Sequence, residues 1–465
     1  MKNEEKKINT SLKLLVKTSV IVFIGVILSK VFTYLYKVII ARQFGPEIYG
    51  IFSLATVILS FFITVSFLGL SDGLLRYISV YRSKKELQKI RYVIKFSIIT
   101  LFFSSFIFMI LLFTTADFIS ENIFHNSELT LFLKIFSLLV PISVISGIFL
   151  SLIKAYEKIK AYSFIVNVLQ NVSRVLLLVL FILIGLNSKS IIWSYFFSIF
   201  LVAIISYTFA KKYLPEAFGE VILKNRQKNK IIKDLIDYSW PIVFLGAIGS
   251  LFLWIDSLVI GYFKNVADVG FYNAAFTIVS LFGIAPELFM QLFFPLITKE
   301  FAKKNTNLIK EISKQVNKWI FMLNLPLSFF LIFFPGAAIN ILFGPEYLVA
   351  ENSLRILAFG NLIYCFSAIP ISLISIAGKS KLILVNTIIS SICAVVLNII
   401  LIPIYGLVGA AIATTFVWIV LTIVTFIEAY KVVSIVPLRR KMANIFFLFI
   451  IAMIFPLALR EFFPR

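Results

Sequence analysis

Long apolar stretches, each ended by a short polar or charged segment, run through almost the whole chain. The runs from Leu101 to Leu112 and from Ile392 to Ile402 are continuous and do not alternate polar with apolar positions. They therefore read as membrane helices and not as the strands of a barrel. About 20 apolar residues carry a helix across a bilayer. That length predicts spans at 14–40, 48–72, 93–114, 131–153, 162–184, 190–210, 237–262, 271–297, 318–338, 353–377, 381–403 and 407–430. A candidate thirteenth, 443–459, is short and contains Pro456. The expected fold is an all-α polytopic membrane protein of twelve transmembrane helices plus that extra one.

Composition agrees with the pattern. Apolar residues make up 60% of the chain and charged residues 14%, against about half and about a quarter in soluble domains. A soluble enzyme, a disordered chain and a disulfide-built secreted domain are excluded. Cys365 and Cys393 lie inside apolar runs and read as packing residues, and the one histidine, His125, lies in a loop. There is no zinc spacing, redox pair or nucleophile–histidine arrangement, so no metal site, catalytic residue or cofactor is expected.

The net charge of +22 has three candidate causes: nucleic acid, anionic lipid, or membrane topology. Its distribution decides between them. With the residues at span ends counted with the connections they flank, 34 of the 44 Lys and Arg fall at the amino terminus and in every second connection, 7 fall on the opposite side, and 3 remain within spans. Such asymmetry is the positive-inside pattern. It places the amino terminus in the cytoplasm of a multi-pass protein of the cell membrane, and no nucleic-acid partner is needed. The first span is flanked by lysines and no clean small-residue cleavage site follows it, so it reads as a retained helix.

The chain also repeats itself. Lys37 opens the connection after the first span, and Asp256, 219 residues later, opens a connection of the same style after the seventh. Asn167 and Asn386, each seven residues after a lysine, are also 219 apart. Two halves follow, 1–219 and 220–440, each a six-helix bundle, with 441–465 left for the extra helix. An even number of spans per copy makes the repeats parallel, with a substrate path expected between them. That layout points to a transporter.

The three cations within spans are Lys30, Lys37 and Arg174. Lys30 lies near mid-membrane. Lys37 shares its face seven residues later, with Tyr34 between them; near the outer end it could instead snorkel to the interface. Arg174 lies near the middle of its span, with Asn167 and Asn171 on the same face. A charge at such depth faces a water-filled cavity or a partner. Asp256 and Glu287, the latter just after Pro286, are the candidate partners, or sites for a coupling H⁺ or Na⁺. Asp72 and Arg76 are spaced for a local i,i+4 pair. A cavity lined by Lys30, Lys37 and Arg174 selects an anion, and both residue types suit phosphate.

Several motifs resemble those of Wzx-like polysaccharide flippases. They are Ala41-Arg-Gln-Phe-Gly-Pro-Glu-Ile-Tyr-Gly, Gly69-Leu-Ser-Asp-Gly-Leu-Leu-Arg-Tyr and Trp254-Ile-Asp-Ser-Leu-Val-Ile-Gly-Tyr-Phe, with Ile341-Leu-Phe-Gly-Pro-Glu-Tyr and Tyr405-Gly-Leu-Val-Gly-Ala-Ala-Ile-Ala-Thr further on. The resemblance extends from about residue 10 to 430. It implies the multidrug/oligosaccharidyl-lipid/polysaccharide exporter superfamily, whose two bundles form a V and work by alternating access. It further implies a polyprenyl-phosphate- or diphosphate-linked oligosaccharide as substrate, moved across the bilayer for surface glycan synthesis, by a protein expected to act as a monomer. A lipid II flippase stays open within that superfamily. A multidrug antiporter is disfavoured, because such proteins usually place acids where this chain has Lys30 and Lys37. An integral-membrane glycosyltransferase is the reading from another class. It would need acidic residues in sizeable loops, whereas the large loops here are rich in lysine.

Overall fold

The computed structural model describes residues 2–214, 219–439, 442 and 444. All but Asn444 of the span expected at 443–459 therefore lies outside the described residues. Among those that are described, every regular element is helical and none is a strand. Hydrocarbon offers no partner to a backbone N–H or C=O, and a helix satisfies both within itself. Nine described helices are long and apolar enough to cross a membrane, and a tenth counts if the pair Asn225–Ser250 and Phe252–Phe263, bent by 49°, is one span.

Two of the nine, Phe23–Ser66 and Ser380–Val433, have 44 and 54 residues, twice what one crossing takes. Each is broken at a glycine in a conformation that other residues adopt only under strain: Gly45 at φ 79°, ψ 178° and Gly406 at φ 57°, ψ −132°. These breaks fall in the gaps that the hydrophobic pattern leaves at 41–47 and 404–406.

The chain divides into two compact units. The first comprises Met1–Thr277, Ile339–Ala350 and Ala394–Ala410. Its helices begin with α1 (Lys2–Ser66), α2 (Leu70–Ser83), α3 (Leu87–Asp117), α4 (Glu128–Ser137) and α5 (Leu139–Ala155). They continue with α6 (Ile159–Ser163), α7 (Gln170–Leu183), α8 (Lys189–Tyr213), α9 (Asn225–Phe263) and α10 (Val266–Val279). Helix α8 shows how they pack. Ser190, Ser194, Ser198 and Ser206 are fully buried, while Phe197, Phe200 and Ile204 are exposed. Small residues let the α5 and α7 backbones approach α8 closely, and the large apolar ones meet lipid.

Two pieces of later chain fold into this unit. Tyr347 donates to the Ala41 carbonyl at 3.1 Å and packs edge-on against Tyr49. Beside it the stretch of α1 after Gly45 crosses α10 at two glycines. A Cβ on Gly50 would lie 1.9 Å from the Val266 oxygen, and one on Gly270 would lie 2.0 Å from the Pro46 oxygen. Cations from the sparsely charged connections close helix ends nearby. Arg42 donates to the carbonyls of Asn340, Ile341 and Leu342, and Lys264 donates to Pro403. A positive group at a helix C-terminus satisfies unpaired carbonyls and meets the negative end of the dipole.

The second unit comprises Ile278–Ala338, Glu351–Cys393 and Ala411–Arg465. It contains α11 (Ile284–Ala302), α12 (Thr306–Phe333), the start of α13 (Pro335–Leu342), α14 (Glu351–Tyr364), α15 (Ala368–Ile376) and most of α16 (Ser380–Val433). Arg355 closes the end of α12 by donating to the Ile332 carbonyl at 3.0 Å.

The structure corrects several boundaries and one pairing. The helix expected at 48–72 is broken after Ser66, where a turn with Gly69 at φ 65° leads into α2. The span expected at 271–297 is interrupted by the 3₁₀ turn Ser280–Gly283. Pro286 sits in the first turn of α11, where its missing N–H costs nothing. Asp72 and Arg76 form no ion pair among the described residues; Arg76 stacks over the Tyr238 ring at 4.3 Å instead.

The Gly50–Gly270 crossing makes a direct prediction. Gly270→Val must separate the two helices, and overpacking of this kind costs about 1–3 kcal/mol or more. Its melting temperature in detergent is expected to fall by several degrees. Gly283→Ala is expected to leave it unchanged, because nothing lies within 4 Å of the added carbon.

Candidate functional site

Helix α1 carries a polar face, Ser29-Lys30, Thr33-Tyr34 and Tyr36-Lys37, through a region whose other residues are apolar. Its contact with the segment leading into α7 is built on Asn171. The Thr33 hydroxyl donates to Asn171 Oδ1 at 3.0 Å, and Asn171 Nδ2 donates to Ser29 Oγ at 2.9 Å. The same amide reaches the carbonyls of Val166 and Asn167 at 3.2 and 3.1 Å. Those carbonyls belong to a π-helical turn, Phe164–Leu169, whose wider ladder exposes them. Asn167 Nδ2 donates to Ser163 Oγ at 2.9 Å. Asn171 thus fixes how α1 and α7 face each other, while the Asn167 side chain bonds locally within its own segment.

One turn along, Arg174 lies between aromatic rings. Its guanidinium carbon is 4.2 Å from the Tyr195 ring centroid and 5.7 Å from that of Tyr36. Tyr36 is held by Ser194 Oγ at 3.1 Å and by the Ile191 carbonyl at 3.3 Å. Phe136 stacks on Tyr195 with centroids 5.0 Å apart. Ring faces attract the cation and fix its plane. They offer no oxygen, however, and Arg174 Nε is buried without a hydrogen-bond partner. Among the described residues Arg174 makes no ion pair.

Lys37 is half-buried and donates to Thr277 Oγ1 at 3.1 Å, the hydroxyl that also meets Tyr49 at 3.2 Å. The charges of Lys30 and Arg174 both act on the Lys37 ammonium, so the three cations share one electrostatic neighbourhood. Lys30 and Tyr34 are half-buried on the same helix. Two of the expected cations thus have defined partners, rings for Arg174 and a hydroxyl for Lys37.

The acids have different surroundings. Asp256 is 6% exposed. Its Oδ2 accepts from the Tyr272 hydroxyl at 2.6 Å, and its Oδ1 accepts from Asn398 Nδ2 at 2.7 Å. This places a carboxylate with two neutral donors from α10 and α16. Glu287 is exposed in the first turn of α11. Within the second unit Glu428, near the end of α16, accepts from Asn386 at 2.6 Å.

Sequence reasoning missed Tyr36, Tyr195, Thr277, Asn398 and Glu428. Asn398 stands in the run from Ile392 to Ile402 that reads as continuously apolar, and a lone amide there was the available signal. Glu428 was legible in the same way, as an acid inside a span. Tyr36 and Tyr195 were not, because a tyrosine in a membrane helix gives no sign of which cation it will face.

Comparison with known proteins bears on this arrangement. Residues 15–299 match the family described as polysaccharide biosynthesis protein, and residues 241–404 match the MatE family. An uncharacterized membrane protein of Methanocaldococcus jannaschii is 25% identical over 82% of this chain and 77% of its own. A putative O-antigen transporter of Shigella flexneri is 21% identical over 80% and 88%. Among solved structures, an inward-facing multidrug resistance MATE family transporter of the MOP superfamily aligns with a TM-score of 0.73. It is 15% identical, over 87% of this chain and 94% of that one. At that identity the likeness speaks for the fold alone.

The Asp256 cluster is separately testable. Asn398→Leu removes the donor to Asp256 Oδ1, and losing one partner of a buried hydrogen bond costs about 1–3 kcal/mol. The expected outcome is a lower melting temperature in detergent. Asp256→Asn, which keeps the size and one acceptor, is expected to lose less.

Proposed function

The chain belongs to the polysaccharide biosynthesis protein family, and from that premise we propose that it flips a polyprenyl-phosphate- or diphosphate-linked oligosaccharide across the cell membrane by alternating access. The observation that carries the reading is Arg174. It is a guanidinium at membrane depth, held in place by rings, with a buried N–H unanswered and no acid paired to it among the described residues. Leaving a cation so placed is costly unless an anion arrives to meet it. Lys30 and Lys37 add positive charge to the same neighbourhood. A phosphate or diphosphate group accepts from Arg as a fork and from Lys as a point charge.

In this reading the sequence halves 1–219 and 220–440 are the two rocking bundles, and the amino terminus is cytoplasmic. The phosphate-bearing headgroup enters from the cytoplasmic side and rests on Lys30, Lys37 and Arg174, with Tyr34, Asn167 and Asn171 lining its path. The polyprenyl tail stays in lipid. Rocking then exposes the headgroup to the other side. Asp256 and Glu287 are the proposed sites at which H⁺ or Na⁺ couples to the cycle. The protein acts as a monomer and makes or breaks no covalent bond of its substrate. The O-antigen transporter named above supports this reading.

Flipping of a fluorescent polyprenyl-diphosphate oligosaccharide in proteoliposomes tests it. One hydrogen bond to a charged group is worth about 1.5–3 kcal/mol, or roughly 10- to 150-fold. Arg174→Ala is expected to lower the flipping rate by at least about tenfold in protein that still folds, and Lys30→Ala is expected to slow it as well. Tyr195→Phe keeps the ring and is expected to flip at near the native rate, whereas Tyr195→Leu removes the ring face and is expected to slow it. Native rates in both cation variants would sink the proposal.

A further inference from the structure

A cavity of about 300 Å³ lies at the lysine-rich end of the first unit, enclosed by the end of α2, the turn into α3 and the first turns of α9. It is lined by charges of both signs: Lys84, Lys89 and Lys230 with Glu86 and Asp234. Oppositely charged side chains around a small cavity normally close on one another. Here only one pair does, Lys89 on Glu86 Oε1 at 2.8 Å, with the Lys89 ammonium over the Tyr81 ring at 5.5 Å. The other carboxylate oxygen, Glu86 Oε2, is buried and has no donor. Lys84, Lys230 and Asp234 enter no ion pair among the described residues. Tyr77 and Tyr81 also line the cavity. Burial, and after it the Asp234 charge, pushes both of their hydroxyls up from the ordinary phenol range, so they remain protonated donors.

The geometry points to a binding site for a phosphate ester that carries a primary ammonium, as in the headgroup of an aminophospholipid. The phosphate answers Lys84, Lys230 and the Tyr81 hydroxyl. The ammonium answers the carboxylates of Asp234 and Glu86. A guest bringing one sign only would leave the other unmatched. A quaternary ammonium has no N–H to give the buried oxygen. The cavity is therefore selective for an N–H-bearing zwitterion over both an anionic lipid and a choline lipid. The site is separate from the Arg174 neighbourhood and does not depend on the identity of the transported substrate.

The test is native mass spectrometry of the full chain released from vesicles holding phosphatidylethanolamine, phosphatidylcholine and phosphatidylglycerol in equal amounts. The wild type is expected to retain the ethanolamine lipid several-fold over the other two. Glu86→Gln and Lys230→Gln are each expected to abolish that preference, since one charge-assisted hydrogen bond accounts for about a tenfold difference in affinity. Lys230 is exposed, so its substitution leaves folding intact even if that of Glu86 does not. A second arm adds water-soluble glycerophosphoethanolamine and follows melting temperature. Stabilisation by the soluble compound would identify a free metabolite as sufficient, while stabilisation by the lipid alone would identify the membrane as the source. Overturning results are a retained mixture that matches the vesicles, a preference for phosphatidylglycerol, or a preference that survives both substitutions.

Discussion

A guanidinium cannot sit at bilayer depth without something to stabilise it, and the way this protein meets that demand at Arg174 organises the first unit. The residue is not neutralised by a neighbouring acid among the described residues. Its plane is fixed by Tyr195 and Tyr36, and those rings are fixed in turn by Phe136 and Ser194. The asparagine contacts of Asn171 hold α1 against α7 just beside it, so that the rings from α1 and α8 arrive together. The rings stabilise the guanidinium without neutralising it, and its buried Nε has no hydrogen-bond partner. Stabilisation of the charge is thus divided from its neutralisation.

The same division recurs in miniature elsewhere. Asp256 accepts from two neutral donors, Tyr272 and Asn398. Lys37 rests on a threonine hydroxyl. Neutral hydrogen-bonding partners keep a charge available, because its field is damped less than by a counter-ion at contact.

Legibility in the sequence followed the kind of force involved. The helices, their approximate ends and the glycine breaks at Gly45 and Gly406 could be read, since bilayer thickness and backbone satisfaction act locally along the chain. The places where the reading slipped are instructive. The turn after Ser66 and the 3₁₀ segment at Ser280–Gly283 depend on how helices pack, and apolar residues continue straight through both. The unusual cations Lys30, Lys37 and Arg174 stood out because hydrocarbon makes any charge conspicuous. Their partners did not, since Tyr36, Tyr195 and Thr277 are common residues brought to them by packing across helices from 21 to 240 positions away in sequence.

The helix-capping role of Arg42, Lys264 and Arg355 has a consequence for binding as well as for folding. Each gives donors to main-chain carbonyls, and Arg355 pairs with Glu351 besides. A donor that ends a helix is not free to hold an anion from outside without leaving that helix end unsatisfied. These cations are therefore tied down as structural groups, in contrast to Arg174, whose Nε has no hydrogen-bond partner.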